Sequence, residues 1–145
     1  MTKRVLIDSS VFVEYLKGNP MAMGILSSLF SEDYELFINA IVYSEVVFLF
    51  LSKTTGLSAL TLKKKPAMVT NSGVERVIEL LSQFKVAEIN DVVLQTASEI
   101  IKKHGLLPND AIILATARVY SMCLATIDSD FEKPAKVEDV PLYSP

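Results

Sequence analysis

Short β-branched runs alternate with longer stretches of helical periodicity along this chain. Val5, Leu6 and Ile7 form a continuous apolar run that stops at Asp8, the pattern of a buried strand. SSVFVEYLKG follows, with Ser9 and Ser10 as candidate caps and Gly18 as a stop, and predicts a helix. Asn19 and Pro20 open a second helix through MAMGILSSLF. Residues 35–38 give a second strand, and a long apolar helix is predicted from about residue 41 to 53. Residues 54–73 break the pattern with two Gly, one Pro, several Thr and Ser, and Lys63-Lys64-Lys65, so they predict an exposed loop or a pair of short helical turns. A helix over about 74–84 leads into a short strand candidate, KVAEI, at 85–89. The next helix has Asn90 as its cap, Lys102 and Lys103 in its last turn, and Gly105 as its stop. Pro108 opens the following helix, and CLATI at 123–127 is a fourth strand candidate. DSDFEKP reads as a turn or short helix, and AKVED as a candidate edge strand.

Apolar strands alternating with helices imply a mostly parallel sheet covered on both faces. The expected architecture is a three-layer α/β/α fold with four to five strands, in one domain over 1–145 without repeats or linkers.

Composition narrows the function classes. The 145 residues carry 17 acids and 14 Lys+Arg, a formal charge of −3, and half are hydrophobic. That content opposes disorder, and the charge opposes a protein that coats nucleic acid by bulk attraction. Cys123 is the single cysteine and His104 the single histidine, which excludes a disulfide framework and zinc-finger spacings. Asp8 interrupts the first apolar stretch too early for a signal sequence. The longest apolar run, 40–51, is too short to span a bilayer and contains Glu45. The expectation is a soluble cytoplasmic protein.

Ligands of parallel α/β sheets sit beyond the carboxyl ends of the strands. Asp8 directly follows one strand and Asp128 directly follows LATI. Glu45 is the only charged residue at positions 40–52, on a face shared with Ile41, Phe48 and Leu49. Asp110 lies in the first turn of the Pro108 helix, on a stripe with Ile113, Leu114 and Ala117. Each acid has an ordinary alternative. Asp8 can cap the following helix, Asp110 can answer the helix dipole, Glu45 can meet an Arg or a backbone group, and Asp128 can cap a turn. Four such acids together would repel one another unless a cation neutralised them, and carboxylate oxygens suit Mg²⁺ or Mn²⁺.

With these residues in view, the sequence resembles the PIN domain family, and within it the VapC-type toxin ribonucleases. The resemblance rests on VLIDSSVFVEYLKG, IVYSEVVFLFL and LLPNDAIILATARVYSMCLATIDSDF, with 37, 65 and 18 residues separating the successive acids. It covers nearly the whole chain. It implies that Asp8, Glu45, Asp110 and Asp128 are catalytic and bind Mg²⁺ or Mn²⁺. Asp130 would be an auxiliary acid, with Ser9 and Thr126 as hydroxyls that orient the acids or a water. The family more often has Thr where Ser9 stands, a difference of one methyl. The implied activity is metal-dependent endoribonuclease cleavage of RNA, and the implied partner is a VapB-like antitoxin. The alternative is a catalytically inactive PIN-fold module that binds RNA or protein. In the family the region corresponding to 54–73 varies, helps form the dimer and approaches RNA, so no residue role is carried across there.

Other features bear on partners. Lys63, Lys64 and Lys65 are candidate phosphate contacts against the alternative of a solvated loop. Arg118 lies two turns beyond Asp110 and either reaches a phosphate at the pocket rim or pairs with a surface acid. His104 is expected as a structural surface cation at a helix end, and Cys123 as a small apolar residue. Met21, Met23 and the Phe-rich stretch 41–51 are assigned to the core or to a homodimer interface. A phosphotransfer domain is disfavoured because position 10 is Ser, which removes the DxD phosphatase pattern, and because no middle-strand phosphoacceptor is found. If two divalent ions neutralised four acids, 13 acids would face 14 bases.

Overall fold

The computed structural model describes residues 2–145. In chain order these residues form β1 (Lys3–Ile7), α1 (Ser9–Leu16), α2 (Pro20–Ser31), β2 (Tyr34–Ile38), α3 (Ala40–Thr55), α4 (Ala59–Lys63), α5 (Pro66–Thr70), α6 (Val74–Leu81), β3 (Lys85–Val86), α7 (Asp91–His104), α8 (Pro108–Val119) and β4 (Cys123–Ala125). A 3₁₀ turn over Ser129–Phe131 then runs into α9 (Glu132–Val137).

Among the described residues the sheet has four strands in the order β3-β2-β1-β4, all parallel. Consecutive strand residues face opposite sides of a sheet. Val5, Leu6 and Ile7 are all fully buried, so helices cover both faces and the three-layer expectation holds. The chain leaves β1 for β2 on one side and returns on the other as β4, so the crevice opens at the carboxyl ends of β1 and β4. Phe12 packs edge-to-face on Phe84 with centroids 5.1 Å apart, which ties α1 to the segment after α6. No helix among the described residues is long and apolar enough to cross a membrane.

The signalled caps are used. Asn90 Oδ1 accepts from the Val93 amide, and Gly105 closes α7 at φ 71°, where a side chain would be strained. Residues 54–73 form the expected pair of short helices, with Leu62 as their buried anchor.

Three expectations change. AKVED is not an edge strand, because α9 takes residues through Val137. Pro134 sits in its first turn, where no amide donor is needed, and is buried with Ala135. The outer edge of β4 is instead covered by the C-terminal segment, where Leu124 bonds to Pro141 and Tyr143 around a single bridge to Leu142. KVAEI contributes only Lys85 and Val86 to the sheet, since the pairing ends at the Ala87 amide on the Ile38 carbonyl. Met21 and Met23 do not belong to the core and remain 63% and 49% exposed.

Candidate active site

Asp8 leaves the end of β1 with its amide on the Ala125 carbonyl, 2.9 Å away, so the sheet itself fixes its backbone beside β4. Its Oδ2 accepts from Ser10 Oγ at 2.7 Å, from Thr126 Oγ1 at 2.8 Å and from the Ser10 amide at 3.4 Å. Asp8 is therefore both the cap of α1 and the buried end of a hydroxyl network. Burial pushes its carboxyl above the usual range, against the opposing pull of the Ser10 and Thr126 hydrogen bonds.

Ser9 Oγ stands 2.9 Å from Glu45 Oε1, bringing the second acid from α3 to the end of β1. Glu45 Oε2 accepts from Asn109 Nδ2 at 3.2 Å, one residue before Asp110. The Asp128 amide donates to Thr126 Oγ1 at 3.0 Å, and Asp128 Oδ1 accepts from the Asp130 amide at 2.9 Å. Asp128 thus caps the 3₁₀ turn, two residues beyond Thr126 and three beyond the end of β4.

Asp110 reports the electrostatics of the cluster. Its carboxyl is pushed up to about 6, first by burial and then by the charges of Asp8, Asp128, Glu45 and Asp130. Among the described residues the ion pairs all lie elsewhere: Lys17–Glu14, Lys85–Glu35, and Glu138 with Lys103, His104 and Arg118. The five acids therefore share a negative field with no cationic side chain bonded to them. A cavity of about 330 Å³ is bordered by two of these acids, Glu45 and Asp110, with Leu107, Pro108 and Asn109.

A donor set of hard carboxylate oxygens at a strand-end crevice fits Mg²⁺ or Mn²⁺ in chemistry and charge. Among the described residues, no three His, Cys, Asp or Glu side chains are gathered tightly enough to grip one ion in this arrangement. Asp8, Glu45 and Asp128 accept from hydroxyl, amide and main-chain donors.

A family model for the PIN domain matches residues 5–137. The chain belongs to the PIN domain family. This PIN domain is 38% identical over 144 residues to ribonuclease VapC6 of Methanocaldococcus jannaschii, covering 92% of the chain and 94% of that relative. It is 32% identical over 131 residues to ribonuclease VapC2 of the same organism, covering 90% and 88%. It resembles the solved FitAcB structure from Neisseria gonorrhoeae with a TM-score of 0.63 and 26% identity, over 97% and 96% of the two chains. Against DNA-bound VapBC from Salmonella typhimurium the TM-score is 0.69 over 99% and 98%, and at 15% identity that likeness concerns the fold alone.

The remaining candidates fall away from this cluster. Arg118 bonds to Glu138 at the far end of α8, so its guanidinium meets a buried acid rather than the pocket rim. His104 packs as a structural residue at the end of α7, with its Nε2 2.8 Å from the same Glu138 carboxylate. Lys63, Lys64 and Lys65 are exposed at the junction of α4 and α5. Two members of the hydrogen-bonded network escape sequence reasoning. Ser10 reads only as a helix cap and Asn109 as one more residue in a first turn, yet they hold Asp8 and Glu45 across 2 and 64 positions.

Proposed function

We propose that this PIN domain is a metal-dependent endoribonuclease acting as the toxin of a toxin–antitoxin pair. The observation that supports the reading is that Asp110, pushed up to about 6 first by burial, is pushed further by the charges of Asp8, Asp128, Glu45 and Asp130, with no cationic side chain bonded to these acids among the described residues. The names of the two ribonuclease relatives supply the reaction class, and the toxin–antitoxin complexes among the similar structures supply the antitoxin partner.

Asp8, Glu45, Asp110 and Asp128 would hold Mg²⁺ or Mn²⁺, which when bound polarises phosphoryl oxygens and lowers the pKa of a water. The reaction is hydrolysis of an RNA phosphodiester, in which water adds to phosphorus and the ribose 3′ oxygen leaves. Ser10 and Thr126 keep Asp8 Oδ2 bonded, which leaves Oδ1 facing the Ser9 hydroxyl. Ser9 and Asn109 fix both oxygens of Glu45. Asp130, exposed two residues beyond Asp128, adds negative charge at the rim. Lys63, Lys64 and Lys65 are candidates for phosphate contact outside the acid cluster. Tyr43, Phe48 and Leu49 on α3 are exposed and support a second copy of the chain as a partner.

The test is cleavage of total RNA with and without a chelator, comparing the native chain with Asp8→Asn and Glu45→Gln. Loss of cleavage in the chelator and in both variants is expected. Cleavage or growth inhibition that survives Asp8→Asn would overturn the nuclease reading in favour of a binding module.

A further inference from the structure

The described residues bury only four polar or charged side chains: Asp8, Asn39, Thr116 and Glu138. Asp8 belongs to the acid cluster and Glu138 to its own ion pairs. The other two are fully buried and bond to each other. Asn39 Nδ2 donates to Thr116 Oγ1 at 2.9 Å, and Thr116 Oγ1 donates to the Ile112 carbonyl at 2.7 Å. Asn39 Oδ1 accepts from the Val42 amide at 2.9 Å, which caps α3.

These bonds form the inner of two rungs between α3 and α8. The outer rung is Asn109 Nδ2 on Glu45 Oε2. Pairing 39 with 116 and 45 with 109 means that the two helices run antiparallel past each other. Asn39 lies six residues before Glu45, and Thr116 six residues after Asp110, so each arm spans about 9 Å at the helical rise. The bonded pair stands at one end of the two arms and the two acids at the other. Apolar contacts between helices tolerate sliding, whereas a saturated buried amide–hydroxyl bond admits one register.

We propose that Asn39 and Thr116 are positioning residues that set the separation of Glu45 and Asp110, and so the affinity of the acid cluster for a divalent cation. The proposal rests on the metal-dependent reading above. Groups bonded directly to metal ligands cost about tenfold or more in affinity when lost, and Asn39 and Thr116 act on the same ligands one step further back, through the register of α3 and α8.

The test is direct Mn²⁺ binding to the full chain, followed by the bound-ion spectroscopic signal and by calorimetry, with thermal midpoints recorded in parallel. Thr116→Val keeps the shape and the α3 cap but removes the acceptor of the Asn39 amide. Thr116→Ala leaves room for a water on that amide and serves if the Val variant folds poorly. Thr116→Ser keeps the hydroxyl. Well below their midpoints, the Val and Ala variants are expected to bind Mn²⁺ about tenfold more weakly, with cleavage falling in kcat rather than KM. Thr116→Ser is expected within twofold of the native chain. A folded Val or Ala variant that binds Mn²⁺ like the native chain overturns the proposal, as does a Ser variant that loses as much as Val. Failure of the native chain itself to bind Mn²⁺ would instead overturn the metal-dependent reading.

Discussion

The Ser9 hydroxyl lies 2.9 Å from Glu45 Oε1, although the two residues are 36 positions apart. The same oxygen is 3.5 Å from Asp8 Oδ1, so one proton is offered to two carboxylates. Ser9 has no other polar atom in its side chain and is half-buried, which makes substitution there a clean probe. Ser9→Ala is expected to lower RNA cleavage about tenfold, the usual cost of removing a partner behind a ligand. Its thermal midpoint should fall by only a few degrees, since the net contribution of one such hydrogen bond is about 1 kcal/mol. Ser9→Thr keeps the hydroxyl and is expected to cleave like the native chain. Parallel cleavage rates and melting curves check both.

Asp8 sets function against stability. Burial raises its carboxyl above the ordinary value, so the charged form is the costly one in the folded chain. Asp8→Asn removes that charge, and Asn keeps an acceptor for Ser10 and Thr126 and caps helices equally well. The variant should lose cleavage while its metal-free thermal midpoint rises. Calorimetry in a chelator reads the second effect. A midpoint that falls would contradict the assigned cost of the charge.

The metal-free chain should also weaken as pH rises. Asp110 has its folded pKa raised to about 6, above the ordinary 3.8. A raised acid contributes stability that is complete below the ordinary value and lost as pH climbs through the folded one. Melting curves in a chelator are therefore expected to show a falling midpoint between about pH 4 and about pH 7. An excess of Mg²⁺ or Mn²⁺ should restore the midpoint near neutrality and do less near pH 5, because protonated carboxyls bind cations poorly.

Glu138 gives the opposite dependence. Burial raises its carboxyl, but hydrogen bonds from His104 and Lys103 and the charges of Lys103 and Arg118 outweigh that and hold it below the usual range. A lowered acid stabilises above its ordinary value, and that stability disappears as pH falls through the folded value, below 4.5. Glu138→Gln should cost about 2 kcal/mol at neutral pH, since charged groups lose a strong partner, while cleavage at low temperature survives. Denaturant titrations measure the first and RNA gels the second.

Much of this was legible in the chain. Val5-Leu6-Ile7 before Asp8 shows an acid at a buried strand end, because a run with no polar residue can only be covered on both faces. Asn90 and Gly105 bracket α7 for local reasons that the sequence carries in full. AKVED was misread because alternation over five residues does not separate an edge strand from one and a half helical turns, and the deciding Pro134 lies just before it. Arg118 was open between a phosphate and an acid because its position on α8 is local, whereas Glu138, 20 residues away, is brought to it only by packing. Ser10 and Asn109 were undervalued for the same reason. Their partners Thr126 and Glu45 lie 116 and 64 positions off, and no spacing rule reaches that far.

Strand β1 is one of the two inner strands of the sheet and pairs with β4 on its far side. Asp8 receives its Thr126 hydrogen bond across 118 residues, and β1 has no partner on that side until β4 has been synthesised. Contacts of such sequence separation form late. A growing chain therefore carries Asp8 without its Thr126 and Asp128 neighbours until β4 and the turn after it have been made. The acid cluster is thus a product of the last sheet pairing and does not exist as a unit before it.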